Sequence, residues 1–203
     1  DKTNAASPLG QCTATGESGG LIGAYYFGDF YAGNSVRIAQ TDRTYGHRPL
    51  PNSLWAGVED FYLRRGAPYE IWHARTPTAN FDHLKPTIGY YDQSEPSVIE
   101  QQIDQAYAGG LDFFNFYWYW SASRHTENLD AALHNFVSAP NSSKLAFQLS
   151  IFSHPWDPDL AISDGDTDAV VAILFGYFAR PNYLRYSGRP VITACLGVAT
   201  MNP

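Results

Sequence analysis

Between residues 94 and 195 the hydrophobic pattern switches repeatedly between helical spacing and strand spacing. A helix is predicted from Pro96, with Ser94 as its cap and Ile99, Ile103, Ala106 and Tyr107 as its buried stripe; Gly109-Gly110 ends it. A strand follows at once in "LDFFNFYWYWSASRH", residues 111 to 125. A second helix is expected from about Thr126 to Val137, with Leu129, Leu133, Phe136 and Val137 inward and Pro140 as its stop. "KLAFQLSIF", 144 to 152, is the third strand. A third helix spans Asp166 to Ala179, with Val170, Ile173, Leu174 and Tyr177 on its apolar side and Pro181 beyond it. "RPVITAC", 189 to 195, is the fourth strand, and Leu21 to Phe27 supplies the first.

Strands that alternate with helices form a parallel sheet with right-handed crossovers. Four such units make either an open sheet or half of a (β/α)8 TIM-barrel-like fold, and a complete barrel takes about 250 residues. The 203-residue chain is therefore read as the N-terminal half of an α/β barrel, about its first four βα units. On this reading residues 1–20 are a flexible lead-in and residues 21–203 are the half barrel. A long excursion at about 28–96 interrupts it, with one short amphipathic helix marked by Trp55, Val58, Phe61 and Tyr62. Loops of that length are usually functional.

Composition excludes several functions. Charged residues are sparse at 16% and the net charge is −7, so no basic surface awaits nucleic acid. No polybasic stretch suits a membrane surface, and no apolar run approaches the roughly 18 residues of a membrane span. No Gly-x-Gly-x-x-Gly follows a strand, and neither Gly-x-Ser-x-Gly nor His-Glu-x-x-His occurs. Cys12 and Cys195 are the only cysteines and lack metal-ligand spacing, so neither zinc nor any cofactor is called for. Whether the two form a disulfide is left open. The small, polar lead-in fits what remains once a signal peptide is removed, and Asn141-Ser142-Ser143 is a glycosylation sequon. Both favour an extracellular or secreted setting.

In such folds ligands bind beyond the carboxyl ends of the strands. Those ends carry Phe27 and Asp29, then Trp118, Tyr119, Trp120 and His125, then His154, Trp156, Asp157 and Asp159, then Cys195. Rings mixed with a few polar groups suit sugars, which stack their C–H faces and hydrogen-bond their hydroxyls. Strand alternation puts Phe114 and Phe116 under helices and Asn115, Tyr117 and Tyr119 on the other face. Trp118 and Trp120, at the strand's exit, fit core or sugar platform equally, and His154 fits a ligand contact or a loop hydrogen bond. Asp112, at the strand's start, is expected to be structural, and Glu100 and Asp104 to form a solvated helix face. Asp157 and Asp159 are too little for a metal site.

Four blocks carry a resemblance: "IGAYYF", "KPTIGYYDQSEPSVIEQQIDQAYAGGLDFFNFYWYW", "FQLSIFSHPW" and "YLRYSGRPVITA". In this order they resemble the glycoside hydrolase family 99-like, or WbsX-like, domain of polysaccharide-handling proteins. The likeness runs over residues 21 to 195, with 29 to 84 diverged. It implies a (β/α)8 barrel that acts on, or binds, a mannose-type or other complex glycan. The family's paired catalytic carboxylates lie in a Glu-Trp-containing motif that nothing here matches, so no catalytic residue is carried over. The resemblance does imply a sugar-contact wall of Tyr25, Tyr26, Tyr90, Tyr91, Asp92, Tyr117, Trp118, Trp120, His154 and Trp156. The expected function is glycoside hydrolysis, completed by a C-terminal half. The alternative is a non-catalytic glycan-binding protein, or an extracellular structural protein that assembles with copies of itself.

Overall fold

The computed structural model describes residues 20–31 and 86–196. Most of the lead-in and excursion, the helix expected around Trp55 and Cys12 lie outside the described residues. In chain order the elements are β1 (Gly23–Tyr26), α1 (Pro96–Ala108), β2 (Phe113–Ser121), β3 (Thr126–Asn128), α2 (Ala131–Ser138) and β4 (Ala146–Ser153). They continue with α3 (Thr167–Phe178), β5 (Arg185–Tyr186), β6 (Arg189–Pro190) and β7 (Ile192–Leu196).

Strands β1, β2, β4 and β7 are parallel neighbours in that order, so position in the sheet follows position in the chain. Among the described residues each crossover carries one α-helix. Ile99 and Ile103 of α1, Leu133 and Phe136 of α2, and Val170, Leu174 and Tyr177 of α3 all join one core with Phe114, Phe116, Phe147 and Leu149. All three helices therefore cover the same face of the sheet. A doubly wound sheet would reverse its strand order and carry helices on both faces. A singly wound, one-sided arrangement is that of the (β/α) barrel, of which these are four successive strands.

Strand pairing fixes which residues share a face, because side chains alternate along a strand. Asn115 stands beside Tyr25 and Gln148, and Tyr117 beside Ser150, which in turn stands beside Thr193. Tyr119 stands beside Phe152, and Phe152 beside Cys195. These residues line the face opposite the helices. Near its lower edge the Phe113 ring lies across Gly23, where an added Cβ would come within 2.2 Å of it. Asp112 is structural, as expected: it accepts the Ile22 N–H through Oδ2 at 2.8 Å and returns its own N–H to the Ile22 carbonyl.

Three local expectations are corrected. Ser94 does not cap α1, because its N–H and hydroxyl both donate to Asp92 Oδ1, at 2.8 and 2.6 Å. Glu95 takes the cap position without a side-chain bond, and Pro96 opens the helix. The second helix does not begin at Thr126. Residues 126–128 instead turn back along β2 as an antiparallel strand, pairing Trp120 with Glu127. Tyr119 pairs with β3 on one side and β4 on the other, so β3 extends the edge that β1 leaves at Phe116. Leu129 has a left-handed φ of 56°, and only after it does α2 start. The fourth strand is likewise split. Ser187 and Gly188, with φ of 49° and 76°, make a two-residue turn between β5 and β6, and both positive φ values are what such a hairpin requires.

Candidate functional site

The aromatic residues of β2 divide by parity. The strand stays regular through Ser121, so Trp118 and Trp120 fall on the same side as Phe114 and Phe116. Each tryptophan is only 1% exposed, and both sit in the core shared with the helices. They are not platforms at a rim. Tyr26 is also core: its ring packs on Phe116 at 4.7 Å, and its hydroxyl bonds Gln102 and accepts from Gln93. Burial pushes its phenol pKa well up, so this hydroxyl stays neutral. These three expected sugar contacts are corrected on one physical ground, that an unbroken strand keeps its parity.

The opposite face holds a different set of rings. Tyr25 meets Tyr117 edge-on at 5.7 Å, and Tyr117 meets Phe152 at 4.5 Å. Phe152 faces His154 at 6.4 Å, and His154 meets Trp156 at 5.2 Å. Phe27 joins Tyr117 from the side at 5.8 Å. The result is a strip of rings that crosses the open face and climbs to the loop after β4. Its two ends are the most accessible, with Tyr25 68% and Trp156 73% exposed. Tyr119, one strand position further, is buried against Leu129 and Leu160 beneath the rim. Of the residues named from sequence, the structure brings Tyr25, Tyr117, His154 and Trp156 together. Phe27 was placed at the rim but not among the sugar contacts, and Phe152 was missed, although it stands beside Tyr119 by simple register.

Tyr90, Tyr91 and Asp92 lie ahead of α1, where Tyr91 reaches the side of the strip through Phe30, whose ring meets Phe27 at 6.0 Å. Tyr90 is exposed; the Tyr91 ring lies edge-on to Phe30 at 6.0 Å, with its phenol pKa raised by burial. Asp92 shapes the turn into α1 through Ser94. The sequon residue is also otherwise engaged. Asn141 Nδ2, the atom that would carry a glycan, donates to the Glu100 carbonyl at 2.9 Å and to Asp104 Oδ1 at 2.7 Å. Asp104 also binds Lys144, which holds its carboxyl below the usual range, so it is a partnered residue of the helix surface. Cys195 is exposed and has no disulfide partner among the described residues.

The loops above the strip are braced by carboxylates. Asp159 accepts from Ser121 and Ser123, and its carbonyl accepts from Asn128, which ties the β4 loop to the β2–β3 turn. His125 Nδ1 and Asp166 Oδ1 are 2.7 Å apart, and Ser163 donates to the other Asp166 oxygen. These bonds hold Asp166 far below the usual carboxylate range.

Sequence reasoning also missed a polar cluster behind the sheet. Trp118 Nε1 and the Tyr177 hydroxyl both donate to Glu127 Oε1, at 2.6 and 2.7 Å, while His134 Nε2 lies 3.5 Å from Oε2. Burial alone raises the Glu127 carboxyl, but the bonds from His134, Trp118 and Tyr177 outweigh it and set the group below its ordinary value. His134 is raised in turn, chiefly by the Glu127 bond. Donor atoms of Glu127, Asp130 and His134 lie within 4.8 Å of one another, so a cation would find three ligands there. With Oε1 already accepting two hydrogen bonds, the cluster reads as a clamp between α2, α3 and β2. No helix among the described residues is long and apolar enough to cross a membrane.

Protein WxcX from two Xanthomonas campestris pv. campestris strains is 27% identical over 168 residues, covering 70% of this chain. The alignment covers 24% of WxcX, so the chain spans about a quarter of the length of the curated relatives it matches. Among solved structures it is similar to the GH99 endo-alpha-mannosidase from Bacteroides thetaiotaomicron in complex with Bis-Tris-propane. There the TM-score is 0.46 at 13% identity, over 85% of this chain and 41% of that one. A second structure of the same enzyme gives 0.42, also at 13% identity, over 85% and 44%. The profile described as glycosyltransferase WbsX matches residues 77–195, more than half of the sequence, and the chain belongs to that family.

Proposed function

We propose that this chain is the glycan-gripping part of a (β/α)-barrel enzyme that acts on a mannose-type or other complex polysaccharide outside the cell. One observation carries the reading: the strip Tyr25–Tyr117–Phe152–His154–Trp156 stands on the open face and rises to the carboxyl end of a parallel sheet. That is where barrel enzymes bind their substrates. Exposed rings there offer flat apolar surfaces to pyranose C–H faces, while their hydroxyl and imidazole edges reach sugar hydroxyls. Membership in a family described as a glycosyltransferase supports a substrate of this kind. Transfer and hydrolysis both displace a leaving group at the anomeric carbon; they differ in the acceptor, a sugar hydroxyl or water, and for an activated donor also in the leaving group, and our reading leans to hydrolysis. Glycoside cleavage requires two carboxyl groups flanking the bond. None of the five residues of the strip is a carboxylate, so the strip grips the sugar and does not itself supply that pair.

The absence of a carboxylate from the strip also favours a second reading, a non-catalytic glycan-binding module on the same scaffold. Isothermal titration with manno-oligosaccharides tests the shared premise. Binding is expected, and Trp156→Ala should weaken it about tenfold; no heat with any glycan would remove both readings. Release of reducing ends by the full-length protein, abolished by changing its carboxylates, would then select the enzyme.

A further inference from the structure

The clamp behind the sheet engages only one oxygen of Glu127. Trp118 Nε1 and the Tyr177 hydroxyl both donate to Oε1, which fixes the carboxylate with Oε2 facing His134. His134 Nε2 lies 3.5 Å from that oxygen, and its Nδ1 lies 3.7 Å from Asp130 Oδ2. Both gaps exceed the roughly 2.7–3.2 Å of an ordinary N–H···O bond. They are closer to the spacing of ligands around zinc, which stand about 3.3–3.6 Å apart when each lies about 2.0–2.2 Å from a tetrahedral ion. Asp130 adds a second sign. It holds the N-cap position of α2, where a carboxylate ordinarily accepts a backbone N–H of the first turn. Its side chain makes no such bond and instead faces His134, one turn further on. Among the described residues neither carboxylate forms an ion pair with lysine or arginine. One imidazole carries at most one positive charge, so the trio keeps a net negative charge.

We propose that Glu127, Asp130 and His134 bind a divalent transition-metal cation of the zinc type, with one donor atom from each. These atoms already lie within 4.8 Å of one another, and His134 is exposed, so side-chain rotation closes the gap and water completes the shell. Ligand chemistry selects the class of ion. An imidazole beside carboxylates suits zinc and its neighbours, whereas calcium takes about six to eight oxygens and magnesium an octahedron of them. Trp118 and Tyr177 supply the outer hydrogen bonds that hold a ligating carboxylate in place. Glu127 stands opposite Trp120, on the helix side of the sheet and away from the strip of rings. The cation therefore pins β3 to α2 and meets no glycan, and the proposal stands apart from the functional reading above.

The test strips the protein with EDTA, removes the chelator, and titrates it calorimetrically with Zn²⁺, Ca²⁺ or Mg²⁺, with thermal melts alongside. One equivalent of Zn²⁺ should bind with micromolar affinity. At about a hundredfold above its Kd it should raise the melting temperature by several degrees, because it binds the folded form. His134→Gln and Asp130→Asn each remove one ligand and should each weaken that equivalent at least tenfold. Their metal-free melts should stay within a few degrees of the native protein, which shows that both fold. No heat and no shifted melt with Zn²⁺ would overturn the proposal. Undiminished binding in both variants would overturn it by putting the ion elsewhere, and a loss confined to one variant would overturn the three-ligand set. Ca²⁺ or Mg²⁺ bound as tightly as Zn²⁺ would overturn the transition-metal class.

Discussion

The two faces of β2 carry equally large side chains to opposite ends. On the helix side Phe114, Phe116, Trp118 and Trp120 are closed off, and the tryptophan N–H of Trp118 is tied to Glu127. On the other side Tyr117 is only half-buried, and neighbouring strands add rings that reach solvent. A high aromatic content thus means two things in one strand. Residue type does not separate platform from core here; position along the pleat does as far as Tyr117, beyond which Leu129 and Leu160 close off Tyr119 on the open side.

The contrast breaks if Trp118 proves dispensable. Trp118→Ala should cost about 4 kcal/mol, as large-to-small changes in packed cores do, and chemical denaturation would read it. A loss below about 1 kcal/mol would mean that the helix side is not the closed one. Glu127→Gln should cost roughly 2 kcal/mol, since it weakens two hydrogen bonds to a charged acceptor and an imidazolium contact. The same variant sharpens the comparison through pH. Glu127 is shifted down from an ordinary 4.5, so its contribution is complete above that value and fades as pH falls through the folded-state pKa. His134 is shifted up from 6.5, so its contribution is complete below that value and fades as pH rises through the folded-state pKa. Native stability should therefore be greatest between those two pH values, and Glu127→Gln should flatten both limbs in melts taken across pH. The smallest effect belongs to the open side: Trp156→Ala should change stability by less than about 0.5 kcal/mol even as it weakens glycan binding. A large loss of stability there would make the strip a second core.

Helix stripes were largely legible because their spacing is local: Ile99, Ile103, Val170, Leu174 and Tyr177 are buried as the period requires, whereas Tyr107, expected in the same stripe, is exposed at the end of α1. The parallel sheet followed from alternation alone, which left an open sheet or half a barrel; that the helices share one face came from the packed core. Parity along β2 was legible too, and carrying it two residues further would have placed Trp118 and Trp120 inside. The β2–β3 hairpin was not, because Leu129, Leu133 and Phe136 mimic a helical stripe, while the turn depends on left-handed backbone at His125 and Leu129. The Glu127 clamp joins residues 118, 127, 134 and 177, a meeting that only the packed fold creates.

The contact between Gly23 and Phe113 bears on how this domain can diverge. With a benzyl ring laid over a position that has no room for a methyl group, neither residue can enlarge alone. Across natural relatives the pair should drift as a unit, a bulkier side chain at 23 appearing only where 113 has shrunk. A library randomised at both positions should recover the same compensation among its folded members.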